Sequence, residues 1–169
     1  MNEMEKRAMR VAFCLIGVFC LAIYASPGHG ELIDRVMAFV DDQAITLSEL
    51  NETYEKTKQA QPDISRREVL NTMINRLLIL NDARRLKMEA KTDDELVNQY
   101  VELKVKALIR IREDEIADYY KEHIQEFQGE PYEAVKDRIE EYLTEREINT
   151  RLKKLIAELR AKAYVKVLE

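Results

Sequence analysis

Val36, Ala38 and Val40 alternate with Met37 and Phe39, so a short strand near the start of the chain is apolar on both faces. A strand of that kind requires cover from both sides. Asp41-Asp42-Gln43 supplies a polar turn, and Ala44-Ile45 begins the return of a hairpin. The period then changes. Thr46 with Glu49, Ser65 with Glu68 and Thr92 with Glu95 are three capping boxes, each closing the free amides of a helix start. Ile45 with Leu50, and Ile64 with Val69, add hydrophobic staples to the first two. The first predicted helix runs from Leu47 to about Gln59 and stops ahead of Pro62, whose ring disfavours helix in the preceding residue.

The helix after Ser65 is the expected core helix. Val69, Leu70, Met73, Ile74, Leu77, Leu78, Leu80 and Ala83 put a wide apolar face on one side of it. The helix after Thr92 carries Leu96, Tyr100, Leu103, Ala107 and Leu108. Arg112 to Phe127 reads as another, with Ile116, Tyr119, Tyr120 and Ile124 facing inward. Gly129-Glu130-Pro131 breaks the pattern, and Pro131 suits the first turn of the last helix. That helix reaches about Lys162, some 45 Å at 1.5 Å per residue. Its apolar seam shifts between Leu143 and Ile148, so it is not a strict heptad and is expected to pack along other helices. Tyr164-Val165-Lys166-Val167-Leu168 turns strand-like and is the expected partner of Val36–Val40.

Composition sharpens this. After Gly30 the only glycine is Gly129 and the only prolines are Pro62 and Pro131, too little punctuation for many strands. The fold class expected is mainly α: a helical bundle with a long C-terminal helix and a small sheet joining the N-terminal hairpin to the C-terminal strand. Residues 1–30 have the layout of a secretory signal peptide. Lys6, Arg7 and Arg10 precede an apolar run from Val11 to Ala25, and Ser26-Pro27-Gly28 follows. The run is roughly 15 residues, short of the ~20 of a spanning helix, so membrane contact is expected only if the segment stays uncleaved. The rest, residues 31–169, reads as a single helical domain with an N-terminal part (31–127) and a C-terminal helix and strand (131–169). Cys14 and Cys20 leave with the signal, so the mature chain enters an oxidising compartment, periplasmic or secreted, with no disulfide. Its 24 Lys and Arg against 30 Asp and Glu argue against a nucleic-acid partner.

Candidate chemistry is sparse. After Gly30 the one histidine is His123, on an acidic helix, where it reads as a solvated surface residue. One histidine and no cysteine do not make a zinc site, and no glycine-rich loop cradles phosphate. Acidic groups such as Asp93-Asp94-Glu95 and Glu113-Asp114-Glu115 sit where helix starts want negative charge. The expectation is a non-enzymatic protein without cofactor or metal, and with apolar and aromatic surface as its working chemistry. Met73, Leu77, Tyr100, Leu108, Tyr119 and Tyr120 are the candidate residues for holding unfolded chain, since Met and Tyr adapt to varied apolar partners.

Several stretches resemble a known family. D-R-V-M-A-F-V-D-D-Q-A-I-T-L-S-E-L (Asp34–Leu50) after a signal segment is similar to the start of SurA-type periplasmic chaperones and the related PrsA- and PpiD-like foldases. R-E-V-L-N-T-M-I-N-R-L-L-I-L-N-D-A-R-R-L resembles the helix that follows in that family. Arg112–Phe127 resembles the segment before the family's parvulin-type prolyl isomerase domain, and Pro131 to Leu168 the segment after it. Here only Gln128-Gly129-Glu130 joins the two, too little for an isomerase domain. The resemblance implies an ATP-independent chaperone that binds unfolded exported or outer-membrane proteins. The alternatives are a non-catalytic assembly subunit for one envelope partner and, further off, a prolyl isomerase. Helix exchange across the Gln128–Glu130 joint is a route to a homodimer.

Overall fold

The computed structural model describes residues 34–168; the expected signal segment, residues 1–30, lies outside the described residues. The hairpin consists of β1 (Val36–Val40) and β2 (Gln43–Thr46), antiparallel, with a register shift between Val36 and Ala38. β3 (Val165–Val167) lies antiparallel on the other edge of β1, in the order β2-β1-β3. Ala38 faces Val167 and Val40 faces Val165, so the expected pairing of the two ends is present. Cover on the two faces is unequal, however. Ala38 and Val40 are fully buried, whereas Met37 and Phe39 are only half-buried. Three strands and the helices under one face do not suffice to bury both.

Asp41 ties the sheet together. Its backbone is left-handed (φ 53°), a conformation Asp tolerates better than most residues. Its N–H donates to the Tyr164 carbonyl at 2.8 Å, and its carboxylate accepts from the Tyr164 N–H at 2.9 Å. Asn81 reaches the same carboxylate at 3.4 Å. The turn, the C-terminal strand and the core helix therefore meet at one side chain.

The helices are α1 (Leu47–Ala60), α2 (Arg66–Arg85), α3 (Asp93–Lys104), α4 (Glu113–Glu122) and α5 (Tyr132–Lys162), with single 3-10 turns at Lys106–Leu108 and Ile124–Phe127. The Thr46 and Ser65 boxes are reciprocal. The third is half a box: Thr92 accepts from Glu95 N–H, but Glu95 reaches back to Lys91 N–H instead. The helix C-termini close without glycine. α2 closes in a Schellman motif, with Met88 N–H to the Ala83 carbonyl and Lys87 N–H to the Arg84 carbonyl. Its left-handed residue is Lys87 (φ 57°) rather than glycine. α3 stops at Lys104, so Leu103 and Leu108 do not share an inward stripe; both are more than half exposed. Ile124 is likewise half exposed, not inward, because it falls in the 3-10 turn after α4. Pro131 sits at the N-cap of α5 rather than inside it.

Two apolar clusters share α5. Ala38, Val40 and Ile45 of the sheet join α1, α2 and α3 in the larger one, with Leu152, Leu155, Ile156 and Leu159 of α5 closing it. The smaller contains Ile116, Phe127, Val135, Ile139 and Leu143. At 100° per residue the Val135–Leu143 stripe and the Leu152–Leu159 stripe lie about half a turn apart on α5. The helix thus offers nearly opposite sides to its two neighbours, which is the physical content of the seam shift. Glu113, which accepts from Lys136 at 2.7 Å and from Tyr132, fastens α4 to the start of α5.

Removing residues 164–169 should lower the thermal midpoint by several degrees, since it strips one edge of β1; an unchanged melt would refute the clamp. Lys87→Gly should do the reverse. It relieves a left-handed side chain by about 1 kcal/mol, raising the midpoint by a few degrees in a calorimetric scan.

Candidate functional site

α2 packs against both α3 and α5, while α3 and α5 have little direct contact with each other. Two helices lying side by side on a third without closing leave a groove above it. Here that groove is a cleft of about 540 Å³. Ile79 from α2, Val97 from α3, and Leu152 and Ile156 from α5 form an apolar floor, and amide, hydroxyl and cationic side chains form its edge. Arg160 fixes part of that edge. Its guanidinium donates twice to the Asn75 carbonyl oxygen, at 2.8 and 3.0 Å, and this leaves the Asn75 NH2 as a donor. Arg76 pairs with Asp94 at 2.8 Å across the rim from α2 to α3. That pair is exposed, worth at most about 1 kcal/mol, so it positions the rim more than it holds the helices together.

A second cleft, of about 480 Å³, lies between α4, α5 and the 105–112 connection. Its walls are charged: Arg110, Arg146 and Arg151 line it together with Glu115, Asp118, Glu122 and Glu147. Arg151 is already paired with Glu147 at 2.7 Å. Tyr119 stacks on His123 with ring centroids 4.0 Å apart and meets Tyr142 at 5.3 Å. His123 ends α4, half-buried, with Nδ1 at 3.0 Å from the Tyr119 carbonyl, so it is not the solvated residue expected from its acidic surroundings. Among the described residues no group of three His, Cys, Asp or Glu side chains is placed to hold a metal ion.

The six candidate residues scatter. Leu108 and Tyr119 share the charged cleft. Tyr120 belongs to the smaller apolar cluster and donates to the Glu130 carbonyl at 2.7 Å, bracing the joint before α5. Met73 and Leu77 are half-buried against the larger core. Tyr100 is fully buried, which removes it as a contact surface in this conformation. Its role is internal: the phenol donates to Asp82, joining α3 to α2. Burial, and then that hydrogen bond, push the Tyr100 hydroxyl far above its ordinary pKa. Burial opposes the Asp82 carboxylate, but Tyr100 and Arg85 together hold it below its ordinary range. None of the six lines the apolar cleft. Leu152 lies on the apolar seam of the last helix, where spacing does not distinguish a groove wall from core, and Ile79 falls outside the apolar face expected for the core helix.

No protein-family model matches the chain, and no curated protein matches it.

Tyr100→Phe leaves Asp82 without its phenolic donor and should cost about 1–3 kcal/mol in a urea melt. The pH dependence has a definite sign. A raised tyrosine pKa favours the protonated form in the folded state, so its contribution is intact below pH 10 and lost as pH rises through the folded value. Ultraviolet titration of the wild type should show one tyrosine ionising only with alkaline unfolding; a Tyr100→Phe protein that retains this late phase would refute the assignment.

Proposed function

We propose that the chain is an ATP-independent holdase of the cell envelope, a shortened SurA-type protein that binds unfolded exported chains without isomerising them. The observation that carries the reading is the apolar cleft over α2. It offers Ile79, Val97, Leu152 and Ile156 to apolar side chains, while Asn75, Thr72 and Asn149 at its edge suit the polar groups of an extended backbone. A site of this make-up accepts many sequences, because its polar contacts are to main chain and its apolar ones are undirected. The order of the motifs quoted above and the expected signal segment add the envelope and the family. The joint supports the shortened form. Tyr120 packs on Phe127 and Tyr132 with ring centroids 5.3 and 5.6 Å apart, so the segments before and after Gln128–Glu130 are built directly onto each other.

A second reading rests on the other cleft. Its mixed lining of arginines and carboxylates suits one partner of complementary charge pattern, as an assembly subunit would require. The two separate by mutation. Asn149 is exposed on the edge of the apolar cleft, so Asn149→Trp fills the groove without touching the core. The wild type should suppress aggregation of an unfolded outer-membrane protein at near-stoichiometric ratio, and Asn149→Trp should lose most of that activity at an unchanged melting temperature. No suppression by the wild type would sink the holdase reading.

A further inference from the structure

Among the described residues the outer edge of β3 is open. Along β1 and β3 the hydrogen-bonded pairs fall on alternate residues: Asp41 with Tyr164 and Met37 with Leu168 are observed, and Phe39 faces Lys166 between them. Alternation then turns the N–H and C=O groups of Val165 and Val167 away from β1. Among the described residues nothing pairs with them. The side chains beside this edge are also unclaimed: Tyr164 and Val167 are more than half or half exposed. Lys166 is exposed as well, without an ion pair among the described residues.

We propose that this edge docks one extended strand of another polypeptide, with an acidic residue at its centre between two apolar ones. The proposal is separate from the cleft and stands whether or not the chain is a holdase. An antiparallel strand centred on Lys166 would exchange hydrogen bonds with Val165 and Val167 and set its central side chain directly opposite Lys166. Opposite charges in that position attract and like charges repel. The neighbours of that central residue would fall on the face of Val165 and Val167, which continues the buried face of Ala38 and Val40, and apolar residues belong there. The same geometry disfavours a second copy that uses both valines of the edge. A two-fold pairing of β3 with itself, centred to use both valines, places Lys166 against its own equivalent. Shifting the centre to Val165 runs the incoming strand into the end of α5, which closes at Lys162. A lysine in the middle of an open edge is thus both a bar to self-association and a selector of acidic strands.

The test uses residues 31–169 and short synthetic peptides with Val-Glu-Val or Val-Lys-Val at the centre. Amide exchange at Val165 and Val167 should be fast in the free protein and slow on adding the Glu-centred peptide, with the Lys-centred peptide binding about fivefold or more weakly. Val167→Pro removes an outward N–H and no inward one, so it should abolish binding while the protein still melts normally. Lys166→Glu should invert the preference between the two peptides. No protection of Val165 and Val167 by the Glu-centred peptide, or equal binding of both peptides, would overturn the proposal. So would a dimer in analytical ultracentrifugation that Val167→Pro dissolves, since the occupant would then be a second copy.

Discussion

Strand β1 has two hydrogen-bonding edges, and each needs a partner before its buried face can be dehydrated. β2 supplies the first from the next few residues. The second comes from β3, more than a hundred residues away, and only after α5 has run its full length. A two-stranded hairpin is marginal in water, so the small sheet depends on that long-range closure. Asp41 concentrates the dependence, holding both the N–H and the carbonyl of Tyr164. Position β3 correctly and α5 is fixed at its far end; fix α5 and both apolar clusters acquire a wall.

That wall is unusual in facing two ways. Val135, Ile139 and Leu143 enter the smaller cluster, and Leu152, Ile156 and Leu159 enter the larger from nearly the opposite side of the helix. Burial of such side chains contributes about 1.5–3 kcal/mol each, whereas the largely exposed ion pairs contribute at most about 1. Packing along α5 therefore decides the architecture, and the charges decorate it. The apolar cleft is a by-product of the same arrangement. α2 is wide enough in apolar surface to seat two helices, and α5, committed elsewhere along its length, does not close against α3.

The polar chemistry divides along the same lines. Inside, Tyr100 and Asp82 satisfy each other where α3 crosses α2. At the cleft edge, Arg160 occupies the Asn75 oxygen and leaves its amino group for another acceptor. On the outside, Lys166 stands between two valines whose backbone groups face solvent. The inner pair is closed on itself, whereas the outer two leave hydrogen-bonding groups free for something that binds beside them.

Local chemistry was legible in the residues alone. The capping pairs at Thr46 and Ser65, the stop before Pro62 and the change to β-branched residues after Ala163 depend on neighbours a few positions apart, so spacing determines them. Helix ends were less legible, because Asp41, Lys87 and Gln128 take left-handed turns that glycine usually marks. The site was least legible. Tyr100 and Leu152 both sit on apolar stripes at helical spacing, and spacing shows only that a face is apolar. Whether that face meets another helix, as Tyr100 does, or borders an opening, as Leu152 does, depends on where the neighbouring helices come to rest. The sequence by itself determined the elements and the partner of β1. Only tertiary packing decided which apolar surface remains uncovered, since that is a property of how several helices divide one face among them.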